Sequence, residues 1–398
     1  MESPASTPQT PAAKPGKLSR NVWILTLTSF LTDVSSEMIL NLIPLFLVGV
    51  LGVRTSVVGL IEGVAETTAS LMKIFSGALS DRLGRRKSLA VLGYGLSTVA
   101  KPFLYLANSW GWVLGVRFSD RLGKGIRTAP RDALLAGSAD ERQRGLAFGV
   151  QRAGDTAGAF LGIAIAAFII WKFQANSPVL ARSTFQSVVL VSIVPAVLAV
   201  LALALGAQET SSAAGHSALA LNLKGMDSRF RAFLLVAVIF TLGNSSDAFI
   251  ILRAQERGLT ILQVMGMLMT FNAVYALLSG PAGALSDRIG RSRLILFGWL
   301  VYGLIYLGFA LSHTGAAIWV LFGLYGVYYA LTEGAAKALI ADLVPGEKRG
   351  TAYGLYYAAI GLTAFPASFI AGLLWQGAGN WPGFGAAAPF LFGAVMAL

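Results

Sequence analysis

Six ionisable side chains, Arg117, Asp120, Arg121, Lys124, Arg127 and Arg131, crowd one short and otherwise largely apolar stretch, most of the cations on one helical stripe. Asp33 and Glu37 stand four apart in another, with Asn41 one turn further and Pro44 interrupting the hydrogen-bond ladder. Glu62, Glu66 and Lys73 share a face of a third; Gln151, Arg152 and Asp155 occupy a fourth, and Asn244, Ser245, Ser246 and Asp247 a fifth. Asn272, Glu333 and Lys337 lie beyond. Each charge costs roughly 2.5–3.5 kcal/mol to place in hydrocarbon, so such groups must face a partner or a cavity. Two chemistries fit. Asp33 or Glu37 can carry a proton or touch a solute, and Arg121 beside a carboxylate makes a proton switch, because burial and a nearby cation pull on an acid in opposite senses. Alternatively, the cationic stripe binds a carboxylate or phosphate directly. Blander roles stand beside these: structural pairing of Asp33 and Glu37 with an arginine, headgroup anchoring by Arg127 and Arg131, and a Glu333–Lys337 pair. Tyr325, Tyr328, Tyr329, Tyr353, Tyr356 and Tyr357 can wall a cavity or simply pack.

The elements that must position these residues are membrane helices. Of 398 residues, 55% are hydrophobic and 13% charged, and the mean hydropathy is +0.68. Stretches near the roughly 20 residues needed to cross a bilayer run over 22–48, 56–79, 88–107, 111–131, 145–171, 184–207, 231–251, 260–281, 294–312, 316–338 and 350–375. A last one, 388–398, is too short for a span, so either the natural chain continues or the twelfth helix is incomplete. The expected organisation is a disordered cytoplasmic tail over 1–20, a six-helix bundle over 21–207, a cytoplasmic linker over 208–230 with a short amphipathic helix near 218–223, and a second bundle over 231–398. The net charge of +12 is topological rather than a sign of nucleic acid. Basic residues gather in alternate loops, while the others hold only Arg54, Lys172, Arg182, Arg253 and Arg257, which places both termini in the cytoplasm. The tail has no apolar segment of its own and is not a signal sequence. No cysteine is present, and His216 and His313 lie far apart, so no metal site or cofactor is expected. No nucleophile–base pair or phosphate-cradling loop argues for an enzyme, and no extra domain argues for a sensor.

The chain repeats itself. GALSDRLGRRK, from Gly77, returns as GALSDRIGRSR, from Gly283; DVSSEMI, from Asp33, parallels GNSSDAF, from Gly243; and ALLAGSADERQRGLAFG, from Ala133, parallels ALIADLVPGEKRGTAYG, from Ala338. The duplicated turn reads as a polar latch at the cytoplasmic exit of the second helix of each bundle. Glycines allow close approach, an aspartate accepts from a helix end or an arginine, and the arginines hold the loop at the lipid surface.

Gly77, Asp81, Arg82, Gly84, Arg85 and Arg86 resemble the G-x-L-a-D-R-x-G-R-[KR] loop motif of the major facilitator superfamily, and Gly283, Asp287, Arg288, Gly290 and Arg291 resemble its weaker second copy. RLGKGIRTA, from Arg121, is similar to the R-x-x-Q-G-x-G-A-A motif of proton-coupled members, with Lys124 and Arg127 as departures. AGDTAGAFLG, from Ala153, is similar to the antiporter motif but has Ala159 in place of proline. The resemblance covers the chain from Arg20 onward and is nearest to bacterial proton-coupled drug and metabolite efflux members. It implies an all-α polytopic membrane protein of twelve transmembrane helices in two pseudo-symmetric bundles, a midplane site between them, a monomer, and an inner-membrane location. It further implies a secondary active transporter, with proton-coupled export of a small organic solute leading. Organic-anion exchange or import is the alternative, and metal-ion or siderophore transport a weaker one. The candidate site is Asp33, Glu37, Glu62, Glu66, Arg117, Arg121, Lys124, Asp155, Asn244 and Asp247.

Overall fold

The computed structural model describes residues 18–140, 143–210, 223, 226–345 and 348–398. The expected tail and linker helix fall almost wholly outside these residues. In the first half, α1 (Arg20–Leu40), the turn α2 (Ile43–Leu45) and a π-helical segment (Phe46–Val50) make one pass, broken where Pro44 removes a donor. Then come α3 (Thr55–Leu83), α4 (Arg86–Ala100) with a 3₁₀ extension over Lys101–Leu106, α5 (Trp110–Gly137), α6 (Arg144–Gln174) and α7 (Arg182–Leu201) with a π-helical end. The second half repeats the plan. Its first pass is α8 (Ser228–Gly243) and α9 (Ala248–Glu256), followed by α10 (Ile261–Ile289), α11 (Arg291–Leu311), α12 (Gly315–Leu343), α13 (Arg349–Gln376) and the short α14 (Ala388–Ala397). Among the described residues nine helical passes are both long and apolar enough to cross a membrane. Polar side chains keep α3 and α5 out of that set, and α14 has only 10 residues.

Glycine sets how closely the helices approach. A Cβ at Gly158 would lie 2.4 Å from the Phe30 carbonyl oxygen, and one at Gly162 2.4 Å from that of Val34, so α6 rests directly on the α1 backbone. Gly93 and Gly123 do the same for α4 and α5. The two halves meet most closely along α3 and α13. There a Cβ at Gly59 would lie 2.1 Å from the Ser368 carbonyl oxygen, one at Gly63 2.9 Å from Phe365 Cα, and one at Gly361 2.1 Å from Ser70 Cβ. Small residues permit this contact where lipid offers little hydrophobic drive between helices.

The repeated turns keep a common design. Gly84 ends α3 at φ +62° and Gly290 ends α10 at φ +93°, conformations that favour glycine. Arg86 Nη1 donates to the Ala133 carbonyl at 3.4 Å and Arg291 Nη1 to the Ala338 carbonyl at 3.0 Å. Arg144 Nε reaches Ala136 O at 3.3 Å and Arg349 Nε reaches Ala341 O at 3.1 Å. Each such arginine serves its own half. The role has also slipped by one position, since the sequence counterpart of Arg86 is Ser292, and Arg291 does the work with help from Asp342 and Asp287. Arg82, Arg85 and Arg288 are exposed, and the side chain of Asp81 lies outside the described set.

One placement corrects the sequence reading. Arg253 is no loop residue; it sits in α9 and is 1% exposed. It donates to the carbonyls of Phe309, Ala310 and Ser312 and pairs with Glu256 at 2.7 Å. The unpaired carbonyls at the end of α11 need a donor, and the arginine supplies it.

Gly59→Ala is expected to cost about 1–3 kcal/mol through overpacking of the α3–α13 seam, lowering the thermal midpoint in detergent by several degrees. Gly115→Ala, where a Cβ meets nothing within 4 Å, is expected to leave it unchanged. Equal midpoints for the two variants would mean that the seam yields freely.

Candidate functional site

The charges of α5 are met by α3. Arg117 Nη2 pairs with Glu62 Oε2 at 2.6 Å, with both side chains under a tenth exposed, while Arg121 Nη1 lies 3.4 Å from Glu66 Oε1, whose side chain is 45% exposed. The first is a tight buried strut and the second a loose pair open to a cavity. Arg117 Nε and Nη1 and Arg121 Nε are buried without protein partners.

These pairs line a central cavity of about 510 Å³ between the halves. Glu37, held by Asn41 Nδ2 at 3.0 Å, faces it from the first half; Asn244, Ser245, Ser246 and Asp247 face it from the second. The latter four sit where the helix breaks between α8 and α9, at a position equivalent by the repeat to Ser35, Ser36 and Glu37. Broken helices at mid-depth expose polar backbone and side chains only where a cavity or protein receives them.

Asp33, Lys124 and Asp155 belong to an adjoining cleft of about 730 Å³, which shares Thr241, Asn244, Tyr329 and Ile360 with the central cavity. Asp155 accepts from Gln151 Nε2 at 2.7 and 2.8 Å. The cleft reaches Phe148, Phe233 and Tyr356, within about two turns of the starts of α6, α8 and α13. It therefore extends toward the end of the bundle that carries the repeated turns. The opposite end is shut: Arg54 Nη1 donates to Gly379 O at 2.8 Å, Thr55 N to Gln376 Oε1 at 2.8 Å, and Gln255 Nε2 to Pro178 O at 2.7 Å, each from one half to the other.

The candidate list thus divides into seven residues at the central cavity and Asp33, Lys124 and Asp155 in the cleft, with Asn244 touching both. Arg127 stacks on Tyr94 at 4.4 Å and Arg131 Nη1 reaches Ser29 Oγ at 3.2 Å, so neither is held as a headgroup anchor. Glu333 and Lys337 do pair, at 2.9 Å, but Arg152 and Tyr275 join them. Tyr325 and Tyr328 are buried in an aromatic cluster with Tyr302, Tyr306 and Phe240, and Tyr328 also lines the cleft with Tyr329, Tyr356 and Tyr357.

Sequence reasoning missed Lys101. It is 5% exposed, and its Nζ donates to Ser35 Oγ at 2.6 Å and to Ser36 Oγ at 3.1 Å, bracing α1 beside Glu37. A lysine inside an apolar span carried the same signal as Arg121.

A family model described as Major Facilitator Superfamily matches residues 25–252 and 232–398. An uncharacterized MFS-type transporter of Methanocaldococcus jannaschii is 37% identical over 388 residues, covering 96% of this chain and 93% of its own. The multi-drug resistance efflux pump PmrA of Streptococcus pneumoniae is 24% identical over 341 residues, 82% of each chain. Among solved structures, a bacterial homolog of the human lysosomal transporter Spinster, in an inward-facing and unoccupied conformation, superposes with a TM-score of 0.71 at 17% identity, over 90% of this chain and 83% of that one.

Arg117→Met leaves Glu62 charged and buried alone, and is expected to cost about 3–5 kcal/mol. The double variant Glu62→Gln/Arg117→Met is expected to recover a clear part of that loss in thermal midpoint. Additive losses in the double variant would show that the pair is not coupled.

Proposed function

Because the chain belongs to the major facilitator superfamily and is an integral membrane transporter of that family, we propose that it moves a small organic solute by alternating access, coupled to protons and in the direction of export. The observation that carries this reading is the unequal pair of ion pairs on the central cavity. Arg117–Glu62 is short and buried, so it fixes α3 against α5. Arg121–Glu66 is long and half open, so solute or proton can compete for either partner. Asp33 and Asp155 then stand along the way from the cavity to the open end.

The basic residues of alternate loops support a cytoplasmic position for the end that carries the repeated turns. On that orientation the N-terminus is cytoplasmic and the conformation is inward-facing, available to collect solute from inside. The likeness to a multi-drug efflux pump supports export. The rigid turns around Arg86 and Arg291 close each half as a body that rocks whole, which a monomer suffices to do.

A second reading is exchange of organic anions. The cleft sets Lys73, Lys124, Arg127, Arg131, Arg152 and Lys337 against Asp33, Asp132, Asp155 and Glu333, an excess of two positive charges (6 − 4). Such a lining attracts a carboxylate or phosphate.

Proteoliposomes with a pH dye inside, challenged with pooled metabolites and toxic compounds, separate the two. Wild type is expected to move protons with at least one pool, and Asp33→Asn and Arg121→Ala to abolish that movement. Exchange of labelled anions without any pH change would overturn proton coupling and promote the exchanger.

A further inference from the structure

A second cavity, of about 800 Å³, lies between α6, α10 and α12 on the flank of the bundle. Its walls are mostly small and apolar, with Ala157 and Phe160 on α6 and Ala273 and Ala276 on α10 exposed outward. These residues sit about 15–25 Å in from the end of each helix that bears the repeated turns, at 1.5 Å per residue. That depth is near the middle of the hydrocarbon core, which is about 30 Å thick in all. The groove therefore faces lipid, not water.

It is not a blind pit. Arg152, Tyr329, Glu333 and Lys337 line both this groove and the cleft. The partition between them is a polar cluster: Arg152 Nη2 donates to Tyr275 OH at 2.9 Å and lies 3.4 Å from Glu333 Oε2, Tyr275 donates to the same oxygen, and Lys337 Nζ holds Glu333 Oε1 at 2.9 Å. Among the described residues, Arg152–Glu333 is the one ion pair that joins the halves. The other seam cannot offer such an opening, because Gly59, Gly63 and Gly361 bring α3 and α13 into backbone contact. At Gly280 and Gly283 on α10, by contrast, a Cβ would meet nothing within 4 Å.

We propose that this groove is a membrane-side doorway to the transport cleft, taking an amphiphile with one apolar chain and an anionic head, with Arg152, Tyr275 and Glu333 as its gate. The charge pattern selects the head. Two cations share one carboxylate, so a second carboxylate or phosphate can engage Arg152 without leaving Glu333 unpaired, since Lys337 stays on it. A cationic head finds Glu333 already holding three donors. The chain occupies the groove, whose volume is in the range of sites for organic ligands. The inference rests on the transporter reading and narrows its solute to one delivered from the bilayer.

The test is photolabelling of the full chain in phosphatidylcholine vesicles with two probes, a long-chain fatty acid and the matching fatty amine, each bearing a mid-chain diazirine. Labelled peptides are mapped by mass spectrometry. The acid is expected to label 153–160 and 273–283 several-fold above the lipid face of α7 around Val194, and several-fold above the amine. Arg152→Gln is expected to bring acid labelling down to the amine level, Arg152→Lys to retain it, and Ala157→Trp/Ala276→Trp to remove both. Monodisperse elution confirms that each variant is folded. Labelling no greater than at α7, equal labelling by both probes, or crosslinks between two copies of the chain at this face would each overturn the doorway. Because labelling needs no transport, its failure is distinct from failure of the proton assay.

Discussion

Arg117 and Arg121 stand on one face of one helix, and no such helix stays in hydrocarbon unless something meets both charges. α3 meets them with Glu62 and Glu66, and much of the first half follows from that requirement. α3 and α5 must lie side by side in register. Gly125, whose Cβ would fall 2.4 Å from that of Met72, makes this approach possible. Ser76 Oγ, donating to Gly125 O at 2.8 Å, continues the same seam. The interior of this half is thus polar by necessity, and α1 faces it with Asp33, Glu37 and the Lys101 clamp.

The second half keeps the skeleton and changes the filling. Its turns repeat the glycine and arginine geometry, yet its interior is a stack of Tyr302, Tyr306, Tyr325 and Tyr328 rather than of ion pairs. Tyr302 OH donates to Gly243 O at 3.0 Å, closing the break between α8 and α9 from behind. Asp247 is presented to a cavity whose cations all come from the other half. A charge on one body and its countercharges on the other make the contact between halves sensitive to what lies between them.

Much of this was legible in the sequence, for stated reasons. Charges in apolar stretches have one physical explanation, so Glu37, Glu62, Glu66, Arg117 and Arg121 could be assigned to a shared interior before any coordinates. Which acid meets which arginine could not, because several spacings on α3 satisfy α5 equally. Arg253 was misplaced because it adjoins the polar end Glu256–Arg257, and its true partners are carbonyls, which no side-chain pattern reveals. The flank groove was not legible although Arg152, Glu333 and Lys337 stood out, since half of its lining is alanine and glycine from three helices in two halves, and small residues carry no periodic signal.

The two seams between the halves are therefore unlike in kind, although the repeat makes them equivalent in plan. Along α3 and α13 the backbones touch, and Thr67 Oγ1 donates to Gly361 O at 2.6 Å. Such a contact tolerates rotation about its own line better than separation, because separation forfeits dispersion along the whole length. Along α6 and α10 the halves are joined by long polar side chains around Glu333, which can let go one bond at a time. A pair of bodies fixed along one edge and clasped along the other opens at the clasp. On the alternating-access reading proposed above, the motion is a hinge on glycine and a clasp on Arg152, two properties that the tandem repeat does not share between its copies.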